Sequence, residues 1–168
     1  ASLIAILATL PSGPAEAGKK NDTLVWATDR ENPIADTNFL NTRENFIFSF
    51  LIFDRLVLLD QSYRPQGLLA TGWKWVDNLT LDFELRPNVK FHNGKTMDAD
   101  DVVYSLSFVV DPKNGSFSRA YLTWIKSVER TGDLKVRIHL ARAFPAALTF
   151  LAGAGIVVPK GHYDQAPT

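Results

Sequence analysis

The chain has no cysteine among its 168 residues. That excludes a disulfide framework, a thiolate zinc site, a cysteine nucleophile and a lipidated N-terminal cysteine. It also lacks an excess of either charge. Eighteen basic side chains balance eighteen acidic ones, so nothing favours nucleic acid or an anionic membrane as a partner. The three histidines, His92, His139 and His162, are too scattered for a metal-ligand spacing. The apolar run from Leu3 to Leu10 is far short of the ~20 residues that span a bilayer. No G-x-S-x-G elbow, P-loop or H-E-x-x-H occurs, and Gly153-Ala154-Gly155 lacks the third glycine of a dinucleotide fingerprint. Catalytic residues, metal and cofactor are therefore expected to be none.

Apolar residues make up 46% of the chain, enough for one respectable core, and the length suggests one domain. The first residues read as targeting rather than fold. The run Leu3–Leu10 is broken by Pro11-Ser12-Gly13-Pro14, and Ala15-Glu16-Ala17 fits the small-x-small rule of signal peptidase. Cleavage near Ala17 would start the mature chain at Gly18. Leu24 to Thr28 reads as a first strand, ended by the polar loop Asp29-Arg30-Glu31-Asn32-Pro33. Glu44 to Phe53 is apolar and predicts a buried helix, with Thr42 a possible cap. Leu56 to Asp60 predicts a strand, and Trp73–Val76 with Leu79–Arg86 an antiparallel hairpin turned at Asp77-Asn78. Trp73 and Trp75 share a strand face and are expected to pack on the hairpin core. Arg119–Trp124 predicts a short helix. A second hairpin follows from Ile125–Arg130 and Leu134–Leu140, then a helix from Phe144-Pro145 to Leu151 and a last strand at Ile156-Val157-Val158. The local texture is α+β, with hairpins and helices instead of a regular βαβ alternation.

The most specific stretch is Leu79–Ser105. Leu79, Leu81, Phe83 and Leu85 alternate with Thr80, Asp82, Glu84 and Arg86, the period of a strand with one buried face. Pro87-Asn88 breaks that strand, Val89-Lys90-Phe91 is again extended, and Asn93-Gly94 is a turn signal. Thr96 or Asp98 then caps a helix whose first turn holds Asp100 and Asp101, where the helix dipole favours acids. Val102, Val103, Leu106, Val109 and Val110 follow at helical spacing. Asp98, Asp100 and Asp101 form a carboxylate cluster fit for metal or acid–base work, but helix capping explains them with less assumption.

This run resembles the signature of the bacterial extracellular solute-binding proteins of family 5, the peptide, nickel and opine receptors of ABC importers. The residues that carry the resemblance are Leu85, Arg86, Phe91, His92, Gly94, Ala99, Asp100, Asp101 and Val102. Phe53-Asp54-Arg55-Leu56, Leu69–Trp73 and Val158-Pro159-Lys160 agree with it. The resemblance implies a fold of the periplasmic-binding-protein type II kind, α+β or α/β, of which this chain is a partial first lobe without the second lobe. Residues 1–17 would be a signal-peptide remnant, 18–40 the start of the first lobe, 41–152 its inserted mixed α/β subdomain and 153–168 a return toward it.

The implied role is capture of an oligopeptide, dipeptide or similar small solute in the periplasm and delivery to ABC permease subunits in the inner membrane. A sensory or chaperone-like interaction module of the same fold is the alternative. The full-length protein is expected to be a monomer and not an enzyme. The family's contact positions suggest a polar loop of Asp29, Arg30 and Glu31, able to pair with the charged ends of a zwitterion or simply to be solvated. They also suggest an aromatic wall at Tyr121 and Trp124, residue types that are often core instead. Gly153 either lets a ligand approach the backbone closely or makes a turn. Alone, the chain should leave strand edges and apolar surface uncovered and associate.

Overall fold

A computed structural model describes residues 34–165. The expected strand at Leu24–Thr28, the loop of Asp29, Arg30 and Glu31, and the processing site near Ala17 lie outside the described residues. The element order is α1 (Arg43–Ile52), β1 (Val57–Leu59), β2 (Pro65–Gly67), β3 (Ala70–Asp77), β4 (Thr80–Leu85), α2 (Ala99–Val110), α3 (Arg119–Leu122), β5 (Ile125–Gly132), β6 (Lys135–Leu140) and α4 (Ala147–Ala154).

Two hairpins build one antiparallel sheet in the order β3-β4-β6-β5. Its centre is the β4–β6 pair, with Leu81 opposite Ile138 and Phe83 opposite Val136. All four of these side chains are buried. Helix α2 lies over this face and adds Val102, Leu106 and Val109 to the core. The other face carries charge: Arg137 holds Asp82 through two bonds of 2.7 and 2.8 Å, and His139 meets Glu129 at 3.0 Å. Period-two alternation thus sorts apolar from charged side chains across the sheet. Leu79 departs from the alternation, because it sits in the turn before β4 and is exposed. Trp73 and Trp75 point to the same side as Phe83 and Leu81, their register partners. Trp73 packs on the core, while Trp75 stays more than a third exposed on an edge strand.

Helix α2 begins as its first residues dictate. Asp98, not Thr96, is the N-cap. Its carboxylate accepts from the N–H groups of Asp100 and Asp101, and Asp101 reaches back to the Asp98 N–H at 3.0 Å. This capping box satisfies donors that a helix start leaves orphaned. Asp101 is fully buried and also accepts from the Lys160 N–H at 2.7 Å and from the Lys95 ammonium. The helix stops at Val110 because Asp111 precedes Pro112, which keeps that residue extended. Upstream, Asn88 and Gly94 take left-handed φ values of 60° and 83°, and the Phe91 and Lys95 backbones close the turn between them.

Three expectations are corrected. The apolar segment at 44–53 is indeed a helix capped by Thr42, but it is not a buried one. Its buried side chains are Glu44, Asn45 and Ser49, whereas Phe46, Ile47, Phe50 and Leu51 face outward, Leu51 at 68% exposure. The segment is apolar on nearly every side, so its few polar groups choose the inward face. Asn45 donates to the Asp36 carbonyl at 3.1 Å and to that of Leu40, and Ser49 accepts from Arg55 at 2.8 Å. Buried polar groups need partners, and the Asn45 amide N–H and the Ser49 hydroxyl find theirs inward. Second, Ile156-Val157-Val158 is not a strand. It makes a single bridge, Ile156 to Arg55, while the Val158 N–H and carbonyl bond the Ser105 hydroxyl at 2.9 and 3.1 Å. A side chain replaces the strand neighbour. Third, Phe144 and Pro145 precede α4, which starts at Ala147 and runs past Leu151 to Ala154.

Arg55 ties the remaining elements together. It is 2% exposed, yet no carboxylate lies within ion-pair distance of it among the described residues. Its donors go to the Phe53 carbonyl at the end of α1 (3.1 Å), the Ser49 hydroxyl (2.8 Å) and the Gly153 carbonyl in the last turn of α4 (3.3 Å). The guanidinium also lies 3.9 Å over the Phe50 ring. Arg55→Met should destabilise the chain by roughly 3 kcal/mol, because several buried acceptors lose their donor. Asp98→Ala should cost about 1 kcal/mol as a lost cap. Urea unfolding of both variants checks this, and equal midpoints would refute the larger role of Arg55. The outward face of α1 makes a separate prediction. The isolated chain should self-associate in sedimentation velocity, and Leu51→Lys should shift it toward monomer.

Candidate functional site

Three helices converge on a cavity of about 250 Å³ lined by Phe46, Tyr121, Thr149, Phe150, Gly153 and Ala154. Each wall is placed by a few hydrogen bonds, most of them between residues far apart in the chain. Phe46 is presented by α1, whose neighbouring Asn45 anchors the 36–40 turn and whose Ser49 donates to the Phe46 carbonyl at 2.9 Å. Tyr121 is carried by α3. The loop before α3 is pinned to the same turn, with the Phe117 N–H donating to Asn38 (3.0 Å), Ser116 to the Asn38 side chain (2.9 Å) and Ser118 to Thr37 (3.2 Å). Helix α4 brings Phe150 and Gly153, and Arg55 holds the Gly153 carbonyl from behind.

Two residues singled out in the sequence thus meet in one cavity. Tyr121 is 43% exposed there, and Gly153 lies in the last turn of α4, with open space where a Cβ would stand. Trp124 does not face the cavity. It is 1% exposed, stacked on Phe144 at 5.3 Å, and its Nε1–H donates to the Tyr121 carbonyl at 3.0 Å. Phe144 in turn meets Phe150 edge-on at 5.1 Å. Trp124 is therefore a core support for the wall and not part of its surface, because an indole this large packs at low cost where its N–H finds an acceptor. Phe46 and Phe150 escaped sequence reasoning. Phe46 belongs to a run that reads as core by composition, and only the orientation of α1 puts its ring at a surface.

A second cavity, of about 280 Å³, lies beside the signature turn and is lined by Phe53, Leu69, Phe91, His92, Val157 and His162 among others. It brings together two histidines that the sequence leaves far apart. His92 Nε2 stands 3.4 Å from the Ile52 carbonyl, and the His162 ring meets Tyr163 edge-on. Among the described residues no three His, Cys, Asp or Glu side chains form a group able to hold a metal. Asp100 pairs with Arg130 at 3.1 Å, and Asp98 and Asp101 are committed to the capping box. No helix among the described residues is long and apolar enough to cross a membrane.

The 36–38 turn holds buried polar groups. The Tyr163 hydroxyl accepts from Asn38 Nδ2 at 2.7 Å, and burial beside Asp36 pushes its pKa up. Asp36 is buried, with one oxygen accepting from the Asn38 N–H at 2.7 Å. Burial pushes its carboxyl above the ordinary value of 3.8, against the opposing pull of the Asn38 N–H, Tyr163 and His162.

The chain belongs to the bacterial extracellular solute-binding proteins, family 5: the model for the middle part of that family matches residues 64–168. The oligopeptide-binding protein AppA of Bacillus subtilis is 33% identical over 98 residues, which are 58% of this chain and 17% of that protein. Among solved structures, NikZ from Campylobacter jejuni in complex with Ni(L-His) superimposes with a TM-score of 0.69 at 32% identity, over 80% of this chain and 27% of that one. AgaA from A. tumefaciens R10 in complex with agropinic acid gives 0.73 at 25% identity, over 80% and 28%. The fold is that of part of a periplasmic binding protein of type II, and the chain spans about a fifth of the length of the curated relatives it matches. These relatives are named for binding solutes and not for catalysis.

The Asp36 carboxyl yields a pH prediction. Its pKa is higher folded than unfolded, so the fold disfavours the ionised form. Well below 3.8 both states are protonated and no penalty exists. As pH rises, the unfolded chain ionises first, stability falls, and the penalty is complete once pH exceeds the folded value. Asp36→Asn should therefore melt higher than the parent at pH 7 and equally at pH ~3. A lower melting temperature at pH 7 would show that the charge is needed.

Proposed function

We propose that this chain supplies the first-lobe wall of the substrate-binding component of an ABC importer, capturing an oligopeptide, dipeptide or similar small solute in the periplasm. Residues 18–40 open the first lobe, 41–152 form its inserted subdomain and 153–168 return toward it. Residues 1–17 belong to an export signal cut near Ala17. The loaded receptor hands its solute to permease subunits in the inner membrane. The observation that carries this is the meeting of Tyr121 and Gly153 with Phe46 and Phe150 in one outward-opening cavity, in a chain of family 5. A receptor of this kind works by closing two lobes around a ligand, so each lobe contributes half of the contacts. A wall held from behind by Arg55 and Trp124 gives such a closure a firm surface.

The test uses the polypeptide expressed from the complete open reading frame. Native mass spectrometry of the periplasmic protein should show a small solute that is lost on denaturation, and disruption of the gene should abolish uptake of that solute. An empty protein with unchanged uptake, or turnover of added peptides, would overturn the proposal.

A further inference from the structure

The chain contains two Asn-Gly pairs, Asn93-Gly94 in the signature turn and Asn114-Gly115 after α2. Asparagine is a chemically labile residue. It is most labile before glycine, where no Cβ shields the next backbone nitrogen from the asparagine carboxamide. The structure holds the two carboxamides in opposite ways. Asn93 and Gly94 are exposed, and Asn93 Oδ1 accepts from the Lys95 N–H at 3.0 Å. Among the described residues the Asn93 Nδ2 donates to no group. Asn114 is half-buried, and its Nδ2 donates to the Phe108 carbonyl in α2 at 2.9 Å.

These bonds bear on one reaction. Attack on the carboxamide carbon drives negative charge onto Oδ1 and expels Nδ2. At Asn93 a backbone N–H already points at the oxygen where that charge develops, as in an oxyanion hole. Its Nδ2 is free to leave, whereas that of Asn114 is tied to a carbonyl. The attacking nitrogen does not favour Asn93. The Gly94 N–H donates to the Phe91 carbonyl at 2.9 Å, and the Gly115 N–H to that of Pro112 at 3.4 Å. The Gly94 bond must open first, a modest cost for one bond in an exposed turn.

We infer that Asn93 is a self-modification site, which the turn's own backbone converts to an aspartyl or isoaspartyl residue. The Gly94 nitrogen bonds to Asn93 Cγ, the Cγ–Nδ2 bond breaks, and Nδ2 leaves as ammonia with the proton lost by Gly94. Water then opens the cyclic imide. Opening at Cγ gives aspartate, and opening at the backbone carbon gives isoaspartate. One water is consumed, one ammonia is released, and nothing is oxidised or reduced. The isoaspartyl product lengthens the main chain between Phe91 and Lys95, whose N–H and carbonyl close the turn at 2.9 Å. Either product adds a carboxylate to the lining of the second cavity, which Asp54 also lines. None of this depends on the receptor function proposed above.

The test ages the polypeptide from the complete open reading frame in mildly alkaline buffer. Samples are digested in acid, and mass spectrometry reads the gain of one mass unit at each asparagine. The expected result is conversion of Asn93 at least several-fold faster than Asn114. In guanidinium the gap should close, because unfolding removes the Lys95 and Phe108 bonds that set the two sites apart. Asn93→Gln lengthens the arm by one carbon, disfavours ring closure, and should lose the mass gain at that position. The comparison within the unmodified protein decides the matter even if this variant misfolds. Conversion of Asn114 as fast as Asn93, conversion at neither site, or an equal gap in the unfolded chain would overturn the inference.

Discussion

Burying a guanidinium without a carboxylate partner costs several kcal/mol unless other negative charge surrounds it. Arg55 meets that demand with the carbonyl ends of two helices, Phe53 after α1 and Gly153 in α4. Aligned peptide dipoles place roughly half a negative charge at a helix C-terminus, so two such ends stand in for one acid. The compensation is incomplete: desolvation lowers the Arg55 pKa to about 10, with exposed Asp54 pulling the other way. What this arrangement secures is geometry. It sets the end of α1 against the end of α4, and the cavity between Phe46 and Gly153 exists because those two helices hold that relation.

The support continues through aromatic packing. Trp124, Phe144 and Phe150 form a chain of ring contacts from the buried core to the cavity surface. The indole of Trp124 simultaneously fixes the backbone of Tyr121. Side chains with two χ angles lose little entropy when packed this way, so the wall is stiff at low conformational cost. The sheet's outer face is laced by Asp82–Arg137 and Glu129–His139 pairs, which are partly exposed and worth little individually. Their arrangement keeps that face wet and leaves the apolar cavity as the contrasting surface.

The signature run is a scaffold in its geometry. Asp101, fully buried, joins the start of α2 to the Lys95 turn and to the backbone of Lys160. Ser105 does the same one turn later for Val158. Both contacts span more than fifty residues, so the run that is most recognisable in the sequence is also what ties the C-terminal segment to the sheet. The acids that suggest chemistry when read in a line are spent on helix ends and ion pairs.

The sequence by itself determined the elements whose signal is local. The two hairpins, a cap for α2 at Thr96 or Asp98, the short helix at Arg119 and the family were all legible, because alternation, caps and turns act between near neighbours. Only tertiary structure decided which side of α1 faces inward, that Trp124 supports the wall while Tyr121 forms its surface, and that Val158 bonds a serine instead of a strand. The reason is physical: an all-apolar segment carries no directional signal of its own. Its orientation is settled by where a few polar groups find partners: Asn45 at Asp36 and Leu40, Ser49 at Arg55, and Arg55 far along the chain at Gly153.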